Sequence, residues 1–323
     1  MLFLTNRVLT QNNQTRLGRR VDFELRDTNA LQSLFFCERQ GPGEYSEIGS
    51  AAFLQRLKDS PAEQILIFIH GFNNQPEDAA FQRAERLQEL FDLHAADLVE
   101  VMAVIWPCLP TKDAREFIKS YYSDQAAADA SATAFGRALG RLQDWQLENV
   151  QKDEPCVKRI NVLAHSMGNR ILRGAVKWWA EELLGGGPAL LFRNLFLVAA
   201  DVENEALQRG HEGQSLPAAT RNVVCYFSYD DIALRASKGA NASIRSVSRR
   251  LGHTGPYDMT KVPANVFAVD CDQVAMQYDP KSGHTYFLQD RQDIAGKVCQ
   301  HLLKCVQDAR PESDATNRHI IKP

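Results

Sequence analysis

Asn161-Val162-Leu163-Ala164-His165-Ser166-Met167-Gly168-Asn169-Arg170 is the stretch on which the fold turns. Its apolar half reads as a strand buried on both faces, and it passes without a polar linker into a helical pattern. The turn between them carries small–x–Ser–x–Gly. A serine on so sharp a turn takes strained backbone angles, so the positions two before and two after it must be small for strand and helix to approach. Ala164 stands where glycine is usual, and a methyl group still fits there. The turn also presents backbone N–H groups at a helix N-terminus, which favour an oxyanion. Ser166 is therefore a candidate nucleophile and Met167 N–H a candidate oxyanion donor. A helix cap is the plainer reading of such a serine, but a cap requires neither His-Ser-Met-Gly nor a buried strand ahead of it.

Working outward, the same strand-then-helix alternation recurs. Ile65–Ile69, Val99–Trp106, Leu195–Ala199, Val223–Phe227 and Val266–Val269 are apolar runs of strand length. Residues 77–93, 126–145, 171–184 and 289–305 carry helical spacing, although Gly136 and Gly140 weaken the second of these. Such alternation predicts an α/β fold, with right-handed crossovers, a mostly parallel central sheet and helices on both faces. Reactive groups should then lie in loops just beyond the strands' carboxyl ends. Residues 1–60 supply extra N-terminal strands (Val21–Leu25, Leu34–Phe36) and a helix capped at Ser50. Residues 61–308 form the main α/β domain, and 309–323 read as a flexible polar tail.

The bulk composition narrows the function classes. A formal net charge of −3 over 323 residues shows no basic excess, against a nucleic-acid partner. No run approaches the ~18 apolar residues of a membrane span. The N-terminal Met1-Leu2-Phe3-Leu4 run is too short for a secretory signal and reads as a first strand. The seven cysteines, at 37, 108, 156, 225, 271, 299 and 305, match no metal template. Buried free thiols in a reducing, cytoplasmic setting are the expectation.

Strand 65–69 ends in His70-Gly71-Phe72-Asn73. A His-Gly pair after an early strand lets the backbone approach a substrate, so the Phe72 N–H is the candidate second oxyanion donor, with Asn73 as the alternative. The segments Phe68–Asn73 and Leu163–Arg170 together resemble the α/β-hydrolase superfamily. More closely, the chain is similar to the bacterial group called domain of unknown function nine hundred. Ile105-Trp106-Pro107, Ala199-Ala200-Asp201-Val202 and Gly283-His284-Thr285-Tyr286-Phe287 fit that group as well. The resemblance covers roughly residues 60–305 and implies an α/β-hydrolase fold with a catalytic triad.

In that fold the acid follows the nucleophile and the histidine comes last. Asp230 and Asp231 compete after the 223–227 strand, and the resemblance aligns Asp231 with the acid. Asp201 is a third candidate that better suits ordering a loop. Of His253 and His284, only His284 lies beyond the Val266–Val269 strand, in a turn that can bring an imidazole over the sheet. His165 and His70 suit local packing and ordering of the oxyanion loop. His211-Glu212 lacks the second histidine of a zinc-protease helix, and Gly185-Gly186-Gly187 lacks the lysine of a phosphate loop. The basic group Arg235, Lys238, Arg245, Arg249 and Arg250 reads as a solvated loop, and Trp178-Trp179 as packing. Residues 107–125 and 236–262 are the expected pocket walls.

These readings point to a serine hydrolase acting on a small-molecule acyl substrate, an ester first, with Ser166, Asp231 and His284 as triad and no metal or organic cofactor. Acyl transfer, amide or thioester cleavage would use the same triad. A non-catalytic binding protein on this fold is the alternative from another class.

Overall fold

The computed structural model describes residues 1–111, 116–150, 158–241, 248–290 and 292–323. Arg245 and Cys156 lie outside them. Among the described residues eleven strands form one sheet: β1 (Leu2–Thr5), β2 (Arg19–Val21), β3 (Phe35–Gly41), β4 (Glu44–Glu47), β5 (Gln64–Ile69), β6 (Val99–Ile105), β7 (Arg159–His165), β8 (Phe192–Val198), β9 (Thr220–Phe227), β10 (Val266–Asp270) and β11 (Arg318–Ile320). Their spatial order is β11-β10-β9-β8-β7-β5-β6-β1-β3-β4-β2. From β11 to β1 every pairing is parallel, and β3, β4 and β2 extend the sheet antiparallel. The order reverses between β7 and β5, the place where an open α/β sheet forms its crevice. Ser166 and His70 follow those two strands directly.

The helices are α1 (Gly49–Asp59), α2 (Phe81–Asp92), α3 (Phe117–Val150), α4 (Gly168–Trp178), α5 (Ile232–Asn241), α6 (Leu251–Thr254), α7 (Asp272–Tyr278) and α8 (Lys297–Gln307). Strand alternation sorts the core into two layers. Ile65, Ile67 and Ile69 of β5 pack with Phe53 of α1, Phe135 of α3 and Ile171 of α4. Leu66 and Phe68 pack on the other face with Leu87 of α2 and Leu302 of α8. Continuous apolar strands are thus explained by a cover on each face.

Several sequence expectations need correction. Gly136 and Gly140 do not weaken α3, which is longer than its periodicity suggested. A Cβ at Gly136 would come within 2.6 Å of Trp178, and one at Gly140 within 2.6 Å of Leu183, so the glycines let α3 lie close to α4 and its continuation. The final helix starts at Lys297 rather than 289, because Gly296 is its N-cap; Ile294 precedes it, 53% exposed. α1 begins after Ile48, and Ser50 does not cap it. The 309–323 tail is not loose throughout, since β11 pairs in parallel with β10 and Ile321 is buried. Arg250 is no solvated residue: it is buried beside Asp201 and Glu203. Six of the cysteines are buried free thiols. Among the described residues no helix is long and apolar enough to cross a membrane.

Candidate active site

β7 runs into α4 through Ser166, whose φ of +53° is the left-handed conformation a strained elbow requires. The surroundings hold it there. Ser166 N–H donates to Val198 O at 3.0 Å, and its carbonyl accepts from Asn169 N–H at 3.1 Å and Asp201 N–H at 3.2 Å. Asn169 Nδ2 also donates to Ala164 O at 2.8 Å, so the side chain bridges the two ends of the elbow. A Cβ on Gly168 would stand 2.6 Å from His70 O, which explains the small residue after the serine.

The opposite lip is the loop after β5. Gly71 faces the elbow so closely that a Cβ there would lie 2.8 Å from Ser166 Cβ. His70 is buried and stacks on Trp106, with ring centroids 5.1 Å apart. Trp106 N–H donates to His70 Nε2 at 3.2 Å, and His70 Nδ1 then donates to Gly71 O at 2.9 Å. Burial lowers its pKa to about 3, so it is a neutral brace for the loop. Asn73, at φ +57°, exchanges hydrogen bonds with Thr111 through its side chain. Among the described residues, neither Phe72 N–H nor Met167 N–H donates to a protein group. Two such donors flank Ser166, from the loop and from the start of α4.

Asp231 and His284 come together from separate loops. His284 Nδ1 lies 2.7 Å from Asp231 Oδ2, and Asp231 Oδ1 accepts from Leu234 N–H at 2.9 Å. A carboxylate only accepts, so Nδ1 carries the proton and Nε2 is left with a lone pair. Asp231 is fully buried, whereas Asp230 is about half exposed and meets Arg235 at 3.8 Å. His253 is spent on Tyr229 O, at 3.0 Å. Asp201 does not approach His284 in any hydrogen bond. It accepts from Tyr121 Oη at 2.6 Å and Ser237 Oγ at 2.5 Å, with the Arg250 guanidinium 3.2 Å away. Among the described residues no hydrogen bond joins Ser166 Oγ to His284, a link that in empty sites commonly tightens only around substrate.

Residues 47–300 match the family described as α/β hydrolase of unknown function (DUF900). The chain belongs to this family. No curated protein gives a match.

One support of this α/β hydrolase's site escaped the sequence reading, and a second, His165, reaches further than the local packing or hydrogen bonding expected of it. Asp279 Oδ2 accepts from Ser282 Oγ at 2.6 Å and from the N–H groups of His284 and Thr285, each at 3.0 Å. Burial pushes Asp279 up, but these donors outweigh it and hold the carboxyl below its ordinary range. The signal was Asp279-Pro280-Lys281-Ser282-Gly283, an Asx-type turn just ahead of the histidine. The second support is His165. It is buried, and its Nε2–H donates to the His284 carbonyl at 3.1 Å. Beside the lip, Phe72, Phe117 and Tyr121 pack edge to face or stacked, with centroids 5.4–5.9 Å apart, and form an aromatic wall. Tyr121 ties that wall through Asp201 to the carbonyl of Ser166.

Proposed function

We propose that this protein is a serine hydrolase that cleaves an acyl bond, a carboxylic ester before others, through an acyl-enzyme. The observation that carries the reading is the 2.7 Å pairing of His284 with buried Asp231, in a fold where Ser166 occupies a strained elbow at φ +53°. His284 Nε2 removes the Ser166 proton as Oγ attacks the substrate carbonyl, and Asp231 holds the tautomer and stabilises the imidazolium. The N–H groups of Phe72 and Met167 receive the developing oxyanion, at positions where neither has another acceptor. The imidazolium then protonates the leaving group, and water activated by the same Nε2 releases the acid.

Phe72, Phe117 and Tyr121 supply an apolar wall for the acyl group on the side of the oxyanion loop. A wall of aromatic faces favours compact or aromatic acyl groups over long chains at this position. The experiment is turnover of p-nitrophenyl esters of increasing acyl length. Activity that peaks at short or aromatic acyl groups and vanishes in folded Ser166→Ala supports the reading. Full activity in Ser166→Ala overturns it.

A further inference from the structure

Away from the elbow, α1, α3, α4 and the sheet enclose a cavity of about 50 Å³. Phe53 and Leu57 of α1, Leu139 of α3, Leu172 of α4, and Ile67 and Val162 of the sheet are among its walls. A cavity of about 150 Å³ takes one benzene, roughly 25 Å³ per carbon, so this space holds about two carbon groups. Among the described residues its walls offer water no polar side chain except Arg141, so water is a poor occupant and a hydrocarbon a good one. Leu54 and Arg141 line both this cavity and an outer groove between α1 and α3, which also carries Ser50, Gln55 and Asn149. Those two residues therefore stand between the cavity and the surface groove.

Arg141 is placed as a head-group anchor. It is exposed, its guanidinium lies 5.5 Å from the Phe36 ring centroid, and among the described residues it has no ion-pair partner. Asp144 and Glu148 stand further along the outer groove and do not neutralise it by contact. A cation without an ion-pair partner among the described residues, set beside an apolar space, favours one class of amphiphile. We propose that this cavity is a second binding site, for the alkyl tail of a fatty carboxylate whose head group is held at Arg141. About two carbons at the end of the tail enter beneath Leu139, passing between Leu54 and Arg141, and the rest of the chain lies against Leu54. The site is independent of the hydrolase reading, since no residue of the candidate triad lines it.

The test is calorimetric titration of full-length Ser166→Ala with sodium octanoate, octanol and octyltrimethylammonium. Ser166→Ala removes any turnover and leaves the cavity walls unchanged, so failure here is distinct from failure of the esterase reading. Octanoate is expected to bind more tightly than the other two. Adding Arg141→Gln, an exposed change, should weaken octanoate by roughly two- to fivefold and leave octanol unaltered. Adding Ala138→Phe fills the cavity and should weaken both by roughly fourfold for every methylene kept out. Octanoate that does not bind overturns the proposal. So does octanoate binding that is indifferent to both substitutions, or octyltrimethylammonium binding as tightly as octanoate. If Ala138→Phe misfolds, the Arg141→Gln comparison decides alone.

Discussion

His165 donates its Nε2–H to the backbone carbonyl of His284 at 3.1 Å, so the residue beside the candidate nucleophile holds the residue that would serve as its base. The two rings are 4.7 Å apart, and His165 also packs on Phe287, at 5.0 Å. Burial, with the neighbouring His284 adding to it, keeps the His165 pKa well below the ordinary histidine range. It is a neutral donor fastening two loops. His165→Ala should lower kcat/KM by roughly a hundredfold, the scale of a misplacement near 1 Å. His165→Gln, which keeps an N–H donor, should recover part of that loss. Steady-state kinetics on one ester series checks both, and equal activity in all three proteins would remove the link from the account.

The two adjacent carboxylates should separate cleanly. Asp231 is buried on His284, while Asp230 faces solvent. Asp231→Asn should cost roughly 10³–10⁴ in kcat, because an amide no longer fixes the productive tautomer. Asp230→Asn should stay within about twofold, its ion pair with Arg235 being exposed. A reversed order, read from kcat of the two folded variants, would reassign the acid.

How much of this was legible in the sequence depends on how local each cause is. Ile65–Ile69 and Asn161–Arg170 announce strand and elbow within ten residues, since burial on both faces and a strained turn each leave a compositional mark. β11 leaves none: Arg318-His319-Ile320 is short and largely polar, and it is a strand only because the open edge of β10 accepts it. The 289–305 periodicity misled because spacing alone ignores Gly296, the extended residue at which the helix is capped. The sequence suggests that Asp201 orders a loop, but Tyr121, Ser237 and Arg250 meet it only after folding, so nothing local in the chain names these partners.

Acid should destabilise the protein well before most carboxylates titrate. Burial lowers His70 to about 3 and His301 to about 4, and it lowers His165 as well. In the unfolded chain these histidines take protons near pH 6.5. A depressed folded pKa means the unfolded state binds more protons, so stability is complete above about pH 6.5 and declines as pH falls toward 4. Each histidine contributes about 1.4 kcal/mol per pH unit across that window. Urea unfolding at pH 7.5 and pH 5 should show a lower midpoint at pH 5 with the same m-value. An unchanged midpoint would mean the three rings are not held neutral.

Asp124 should behave in the opposite sense. It is buried and accepts from Leu109 N–H at 3.0 Å, with the Asn73 N–H also facing the carboxyl. Burial raises its pKa to about 7. A carboxyl raised in the fold favours folding while protonated, and that advantage is lost as pH climbs from about 4 to 7. Asp124→Asn keeps the acceptor and removes the charge, so it should raise Tm at pH 8 relative to wild type and not at pH 4. Thermal melts at the two pH values check this, and a lower Tm at pH 8 would show that the carboxylate is stabilised where it sits.

If Ser166 is an activated nucleophile, covalent labelling of the folded protein reveals it. Intact-mass and peptide mapping after exposure to a fluorophosphonate should show a single adduct on Ser166. The adduct should be absent in Ser166→Ala and form far more slowly in His284→Ala. Folded protein that takes no label at Ser166, or that is labelled equally fast without His284, would contradict the account.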